Sequence, residues 1–225
     1  IVEHGDLVGT PAAPNTAEWL VADAAMRRIE DHVATLRAYG IPWGAAPGNH
    51  DQSPNGDADG TTRLYEQFFG RDRFTGRPYF GGHYGTNNSN NYQLFSASGL
   101  DFIILHLGYD IRALSFYQPV LEWADAVLKA HPHRRAIVTS HWIVNTGFPA
   151  TFSAQGQAIY NHLKPNPNLF LLLCGHVAGE GRRTDVFEGR AVHSVLQDYQ
   201  GRANGGDGWL RTFTFSPTRH TITAR

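Results

Sequence analysis

Two patterns of apolar residues alternate along the chain. Residues 101–107, 136–140 and 169–174 are short, almost wholly apolar runs, with the length and composition of strands buried on both faces. Between them, apolar positions recur every three or four residues, as on one face of a helix. Met26, Ile29, Val33 and Leu36 predict a long helix near 16–39, stopped by Gly40. Further helices are predicted near 61–69, around Leu121, Ala124 and Leu128, and near 153–163. The opening residues and 41–46 read as strands, while the turn formers and asparagines between Arg71 and Gly99 read as a long loop or irregular hairpin. After His176 the pattern turns to hairpins, with strands expected at 184–187, 191–196, 209–215 and 221–224. The expected fold is therefore α/β: a layered sandwich of two β-sheets flanked by helices, with a β-rich C-terminal part.

Composition narrows the partners. The chain has 225 residues, enough for one large domain spanning 1–225, and contains no apolar run long enough to span a membrane. Its formal net charge of -1 offers no summed positive field for nucleic acid or anionic lipid. A single cysteine, Cys174, excludes an internal disulfide and sits in an apolar run as a small core residue. The chain opens directly on Ile1-Val2-Glu3-His4, the end of a strand, without a leader. A native N-terminus further upstream, carrying the first strand and any export signal, is the expectation.

Polar clusters then recur in one context. Gly5-Asp6, Gly48-Asn49-His50-Asp51, Ser140-His141 and Gly175-His176 each follow a short apolar strand. In open α/β sheets, ligands collect beyond the carboxyl ends of strands, so residues distant in sequence can converge there. A carboxylate, an amide oxygen and imidazoles form a donor set suited to Mn, Fe or Zn. The ordered blocks resemble the calcineurin-like metallophosphoesterases, whose pattern is D-x-H, G-D, G-N-H-[DE], a lone His and G-H-x-H. The resemblance runs from Gly5 to His176 and implies the family's layered fold. It also implies hydrolysis of a phosphomonoester or phosphodiester by a metal-activated hydroxide. The implied ligands of one ion are Asp6, Asn49, His141 and His176, and His50 is the implied proton donor, its ring held by Asp51. A second reading of Asp51 is a turn or helix cap.

The chain departs from the family pattern at the other ion's ligands. No D-x-H block is present, and Ala178 stands where the second His of G-H-x-H belongs. Only the shared Asp6 then remains for a second ion, unless Glu180 reaches it; an Arg-paired Glu180 is the plainer reading. Arg182 and Arg183, which follow this loop, are candidate phosphate-binding residues or simply exposed residues opening the next strand. Metal binding should dominate catalysis: bringing bound water from a pKa of about 15.7 to about 7 is worth on the order of 12 kcal/mol. General acid help supplies roughly 3 to 5 kcal/mol. The alternative function is a noncatalytic phosphate- or ligand-binding module that keeps one cation site, with Ala178 in its favour. The remaining histidines, His32, His131, His133, His162 and His220, are expected to face solvent. His4 and His106 are expected in the core beside the site, and His83 with the asparagine cluster along a pocket wall.

Overall fold

The computed structural model describes residues 1–10, 16–112, 114–219 and 221–225. In chain order, the N-terminal part contains α1 (Ala17–Glu30), α2 (His32–Thr35), α3 (Arg63–Phe69) and α4 (Arg71–Phe74). Strands β1 (Phe80–His83), β2 (Asn91–Ala97) and β3 (Leu100–Leu107) follow, then α5 (Leu114–Ala130), β4 (Arg135–Ser140), α6 (Ala154–Leu163) and β5 (Leu169–Cys174). The hairpin β6 (Gly179–Phe187) and β7 (Arg190–Asp198) and the strands β8 (Phe213–Ser216) and β9 (Thr221–Ala224) complete the chain. Seven strands form one sheet in the order β1-β2-β3-β4-β5-β7-β6, and β8-β9 form a second. The layered α/β fold expected from the pattern is the fold observed.

The apolar runs supply the centre of the main sheet, where β3, β4, β5 and β7 lie parallel. Alternate side chains serve two cores, as the period of a strand demands. Ile103, Leu105 and Val138 pack beneath Leu121, Ala124 and Leu128 of α5 and Ile159 and Leu163 of α6. Phe102, Ile104, Ile137, Leu171 and Leu173 face the other way, toward Phe213 and Phe215 of the small sheet. Burial of each such side chain is worth about 1.5–3 kcal/mol, so the parallel strands are the rigid base from which the loops of the site emerge. Ser153 caps α6 by accepting the Gly156 N–H at 2.9 Å. Among the described residues, no helix is long and apolar enough to cross a membrane.

A third core lies in the N-terminal part, where Trp19, Trp43, Tyr65, Phe69 and Phe74 pack together. Arg73 is nearly buried within it and pairs with Asp23 at 2.5 Å and Glu30 at 2.9 Å. Its guanidinium also lies over the rings of Phe69 and Trp43. This bridge ties α1 to α4.

Some local expectations are corrected. The helix expected over 16–39 stops at Glu30, because Asp31 is extended (ψ 115°) and its carboxylate accepts the Val33 and Ala34 N–H groups, starting the separate turn α2. Val33 and Leu36, counted toward the apolar face, are exposed at 67% and 90%. The expected strand over 41–46 is reduced to one bridge, between Val2 and Gly44. The 71–99 segment follows the hairpin alternative, with β1 and all of β2 pairing antiparallel within it, but Asn88 and Asn91 are buried braces instead of a pocket wall. Asn88 donates to the Phe69 carbonyl and Asn91 to the Ala45 carbonyl. The strand expected over 209–215 begins only at Phe213. His220 lies outside the described residues.

Candidate metal centre

Two of the parallel strands end in site residues: β4 runs into His141, and β5 into Gly175-His176. His141 is 3% exposed, and its Nδ1 lies 2.7 Å from the His4 carbonyl. A carbonyl only accepts, so Nδ1 carries a proton, and in the neutral ring the Nε2 lone pair then faces the site. Asn49 Oδ1 and His176 Nδ1 each lie 2.9 Å from that Nε2, and Asp6 Oδ2 lies at 3.2 Å. The Asn49 amide is oriented by its Nδ2, which donates to Asn55 Oδ1 at 3.1 Å, so the oxygen points inward. Donor atoms of Asp6, His141 and His176 lie within 4.8 Å of one another, the one such His/Cys/Asp/Glu group among the described residues.

This arrangement tests the fit of a cation. With His141 neutral, four electron-pair donors crowd one point, and a proton on His176 Nδ1 would satisfy one of the contacts and leave the others repulsive. A divalent ion satisfies all four, and the nitrogen and oxygen set suits a transition ion. The Nδ1–H bond of His141 to a backbone carbonyl is the outer support such ligands usually have. Burial and the adjacent His141 imidazole hold His176 below the usual histidine range. Burial acts to raise the Asp6 carboxyl, but His141 and the His50 N–H, which donates to Oδ1 at 2.8 Å, bring it below the ordinary value. The rings of Tyr109 and Trp142 wall the site, 5.7 and 4.9 Å from the His176 ring.

The motif glycines are required by contact between the two loops. Gly5 has φ +88°, and a Cβ there would lie 2.3 Å from the Gly48 nitrogen. A Cβ on Gly48 would lie 2.3 Å from Asp6 Oδ1 and 2.9 Å from His141 Nδ1. Gly5-Asp6 and Gly48-Asn49 are thus packed backbone to backbone. Asp6 (φ 56°) and His176 (φ 72°) themselves adopt left-handed backbone, a strain of order 1–3 kcal/mol each of the kind concentrated at functional sites.

Asp51 does a different task from the one expected. It is 4% exposed, and its carboxylate accepts the Gly48 N–H at 2.8 Å and the Val8 N–H at 3.3 Å, bracing one loop against the other. Burial pushes its carboxyl up to about 7, against the Gly48 N–H, which pulls it down, and with Asp6 adding to the rise. The His50 ring is held instead by the Gly9 carbonyl, 2.6 Å from Nδ1. Arg183 pairs with Asp185 at 2.6 Å, donates to the Ala150 carbonyl and lies over Phe152. Arg182 lies over Phe148. Both line a groove of about 940 Å³ beneath the small sheet, to which none of the four metal-donor residues contributes. Glu180 pairs with Arg211 at 2.7 Å, matching the plainer of its two readings. Tyr109 and Trp142 were missed from sequence, although each follows a strand as the site clusters do.

Comparison with known proteins places this geometry in a family. The chain is 36% identical over 231 residues to the uncharacterized protein YvnB of Bacillus subtilis (strain 168), covering 99% of this chain and 16% of that protein. The chain thus spans about a sixth of the length of that relative. Among solved structures, a dimetal phosphatase from Danio rerio aligns with a TM-score of 0.46 at 16% identity, over 87% of this chain and 70% of that one. GAP50, the anchor in the inner membrane complex of Plasmodium, aligns with a TM-score of 0.45 at 12% identity, over 92% of this chain and 65% of that one. The sequence profile of the calcineurin-like phosphoesterases matches residues 2–200, which cover every motif residue of the site, and the chain belongs to that family.

Proposed function

We propose that residues 1–225 act as one phosphoesterase domain that hydrolyses a phosphomonoester or phosphodiester with a divalent transition ion. The observation that carries this reading is the convergence of Asp6 Oδ2, Asn49 Oδ1, His141 Nε2 and His176 Nδ1 on one point. When bound there, a Mn, Fe or Zn ion would supply Lewis-acid activation of water and charge neutralisation at phosphorus. The chain's own residues do the rest. The His4 carbonyl keeps His141 in the tautomer that exposes Nε2. Asn55 keeps the Asn49 oxygen inward. His50, one residue beyond Asn49, assists the departing oxygen by giving it a proton. Tyr109 and Trp142 exclude water from one side of the site, which strengthens its electrostatics. Arg182 and Arg183 have less support as phosphate ligands, because their guanidinium groups are engaged at the groove beneath the small sheet.

The test is turnover of 4-nitrophenyl phosphate and bis(4-nitrophenyl) phosphate by metal-free chain with and without added Mn²⁺. Hydrolysis of either ester that requires the ion and disappears in His141→Ala supports the reading. A noncatalytic binding module is favoured by one feature, the methyl group of Ala178 where the family has an imidazole. That reading predicts cation binding without hydrolysis of either ester.

A further inference from the structure

The His50 ring is connected to a carboxylate through a peptide bond. Its Nδ1 lies 2.6 Å from the Gly9 carbonyl, which can only accept, so Nδ1 carries a proton. That carbonyl belongs to the peptide group joining Gly9 to Thr10. At the other end of the same group, the Thr10 N–H donates to Glu18 Oε2 at 2.9 Å. The Gly9 N–H reaches the same oxygen at 2.7 Å, and the Thr10 hydroxyl donates to Oε1. Glu18, in the first turn of α1, therefore grips the two residues that present the carbonyl to His50. An anion at the N–H end of a peptide group polarises the carbonyl at its far end, strengthening the bond that this carbonyl accepts.

We propose that Glu18 is a positioning residue for His50: acting through the Gly9–Thr10 peptide, its carboxylate fixes the imidazole with Nδ1 protonated and leaves Nε2 to serve the leaving oxygen. The proposal rests on the phosphoesterase reading for its catalytic consequence. It also accounts for how the ring is held when Asp51, the carboxylate next in sequence, is occupied bracing the two motif loops. The carboxyl of Glu18 is held below the usual glutamate range, first by the Thr10 hydroxyl and then by the Thr10 N–H, so it is an anion at neutral pH. The same residue sits at a helix N-terminus, where a negative charge is favourable. A merely structural role is thus the competing explanation, and the experiment must separate the two.

A positioning role ties the effect of Glu18 to the leaving group and to His50. In the full chain loaded with Mn²⁺, Glu18→Gln should lower kcat about tenfold on phenyl phosphate, whose leaving group needs a proton. It should lower kcat by less than about twofold on 4-nitrophenyl phosphate, whose leaving group needs little help, with KM and metal affinity unchanged. Added to His50→Ala, Glu18→Gln should cost less than about a further twofold, because both changes remove one function. Equal losses on the two esters, or the same loss in the His50→Ala background, would overturn the proposal. If the unaltered chain hydrolyses neither ester, the phosphoesterase reading fails, and the positioning claim is decided by proton NMR of the Zn²⁺-loaded chain. The His50 Nδ1–H resonance, identified by its loss in His50→Ala, should shift upfield or vanish in Glu18→Gln while the His141 Nδ1–H resonance stays. An unmoved His50 resonance overturns the claim. Glu18→Ala provides the same readings should Glu18→Gln fold poorly.

Discussion

Replacing Gly48 by alanine adds only one carbon and two hydrogens to the chain, yet it should damage the site more than most larger changes elsewhere. The new Cβ would lie 2.3 Å from Asp6 Oδ1, 2.4 Å from the Asp6 nitrogen and 2.9 Å from His141 Nδ1, where ordinary contact begins at 3.4 Å. The loops carrying Asp6 and Asn49 must therefore separate by about 1 Å, since overpacked groups relieve contact only by shifting. Rotation of a side chain gives little relief: Asp6 Oδ1 accepts the His50 N–H, the Asp6 nitrogen is backbone, and His141 Nδ1 is bonded to the His4 carbonyl. Overpacking of this kind costs about 1–3 kcal/mol, and for a chain of this size that lowers Tm by about 2–12 °C. The same displacement moves Asp6 relative to Asn49 and His141, and disturbed support of metal ligands typically costs about 10–100-fold in affinity. Thermal melts in chelator measure the first effect, and calorimetric titration of metal-free chain with Zn²⁺ measures the second. Metal affinity within about threefold of the parent chain would refute the view that backbone contact between these two loops sets the ligand geometry.

Other perturbations separate the parts of the structure. His141→Ala should abolish stoichiometric metal binding and turnover, whereas His50→Ala should keep the metal and lose about 10²–10⁴ in kcat on phenyl phosphate, whose leaving group needs a proton; elemental analysis beside steady-state kinetics distinguishes the two. Arg73→Ala leaves Asp23 and Glu30 nearly buried without their shared partner. It should cost about 3 kcal/mol in urea unfolding, the low end for a broken buried pair, because Arg27 and Arg77 remain beside them. His106 is fully buried with both ring nitrogens unpaired among the described residues, and burial holds it well below 6.5 in the folded chain. Below pH 6.5 the unfolded chain binds one more proton at this residue, so stability falls by about 1.4 kcal/mol per unit as pH drops. Unfolding of metal-free His106→Leu between pH 7.5 and 5 should show a slope shallower by about one proton, and an unchanged slope would contradict that account.

The parallel strands were legible because residues 101–107, 136–140 and 169–174 are apolar on both faces, a pattern that only a covered sheet accommodates. The convergent polar residues were legible for a related reason: Asp6, Asn49, His141 and His176 each stand just beyond a strand-like run. The break at Asp31 was not, since the same residue suits a helix surface or a cap, and here its carboxylate accepts the Val33 and Ala34 N–H groups. Asn88 and Asn91 look like loop residues in sequence, yet they are buried, donating to the Phe69 carbonyl at the end of α3 and to the Ala45 carbonyl. The partner of His50 was illegible because it is a backbone carbonyl, which every residue has. Asp51 was the nearest carboxylate in sequence, but its oxygens are occupied by the Gly48 and Val8 N–H groups. Arg182 and Arg183 were chosen for their charge, but Arg183 pairs with Asp185 two residues along the same strand, and Arg182 lies over Phe148 because the Gly147 loop bridges to Gly181, a long-range contact that charge does not reveal.

Anomalous diffraction at the Zn edge, from crystals grown from Zn²⁺-loaded chain, tests the metal centre most directly. The account predicts a peak about 2.0–2.3 Å from Asp6 Oδ2, Asn49 Oδ1, His141 Nε2 and His176 Nδ1. The absence of a peak at that point, or a metal there from which two of these four atoms stand more than about 4 Å away, well beyond coordination distance, would contradict it.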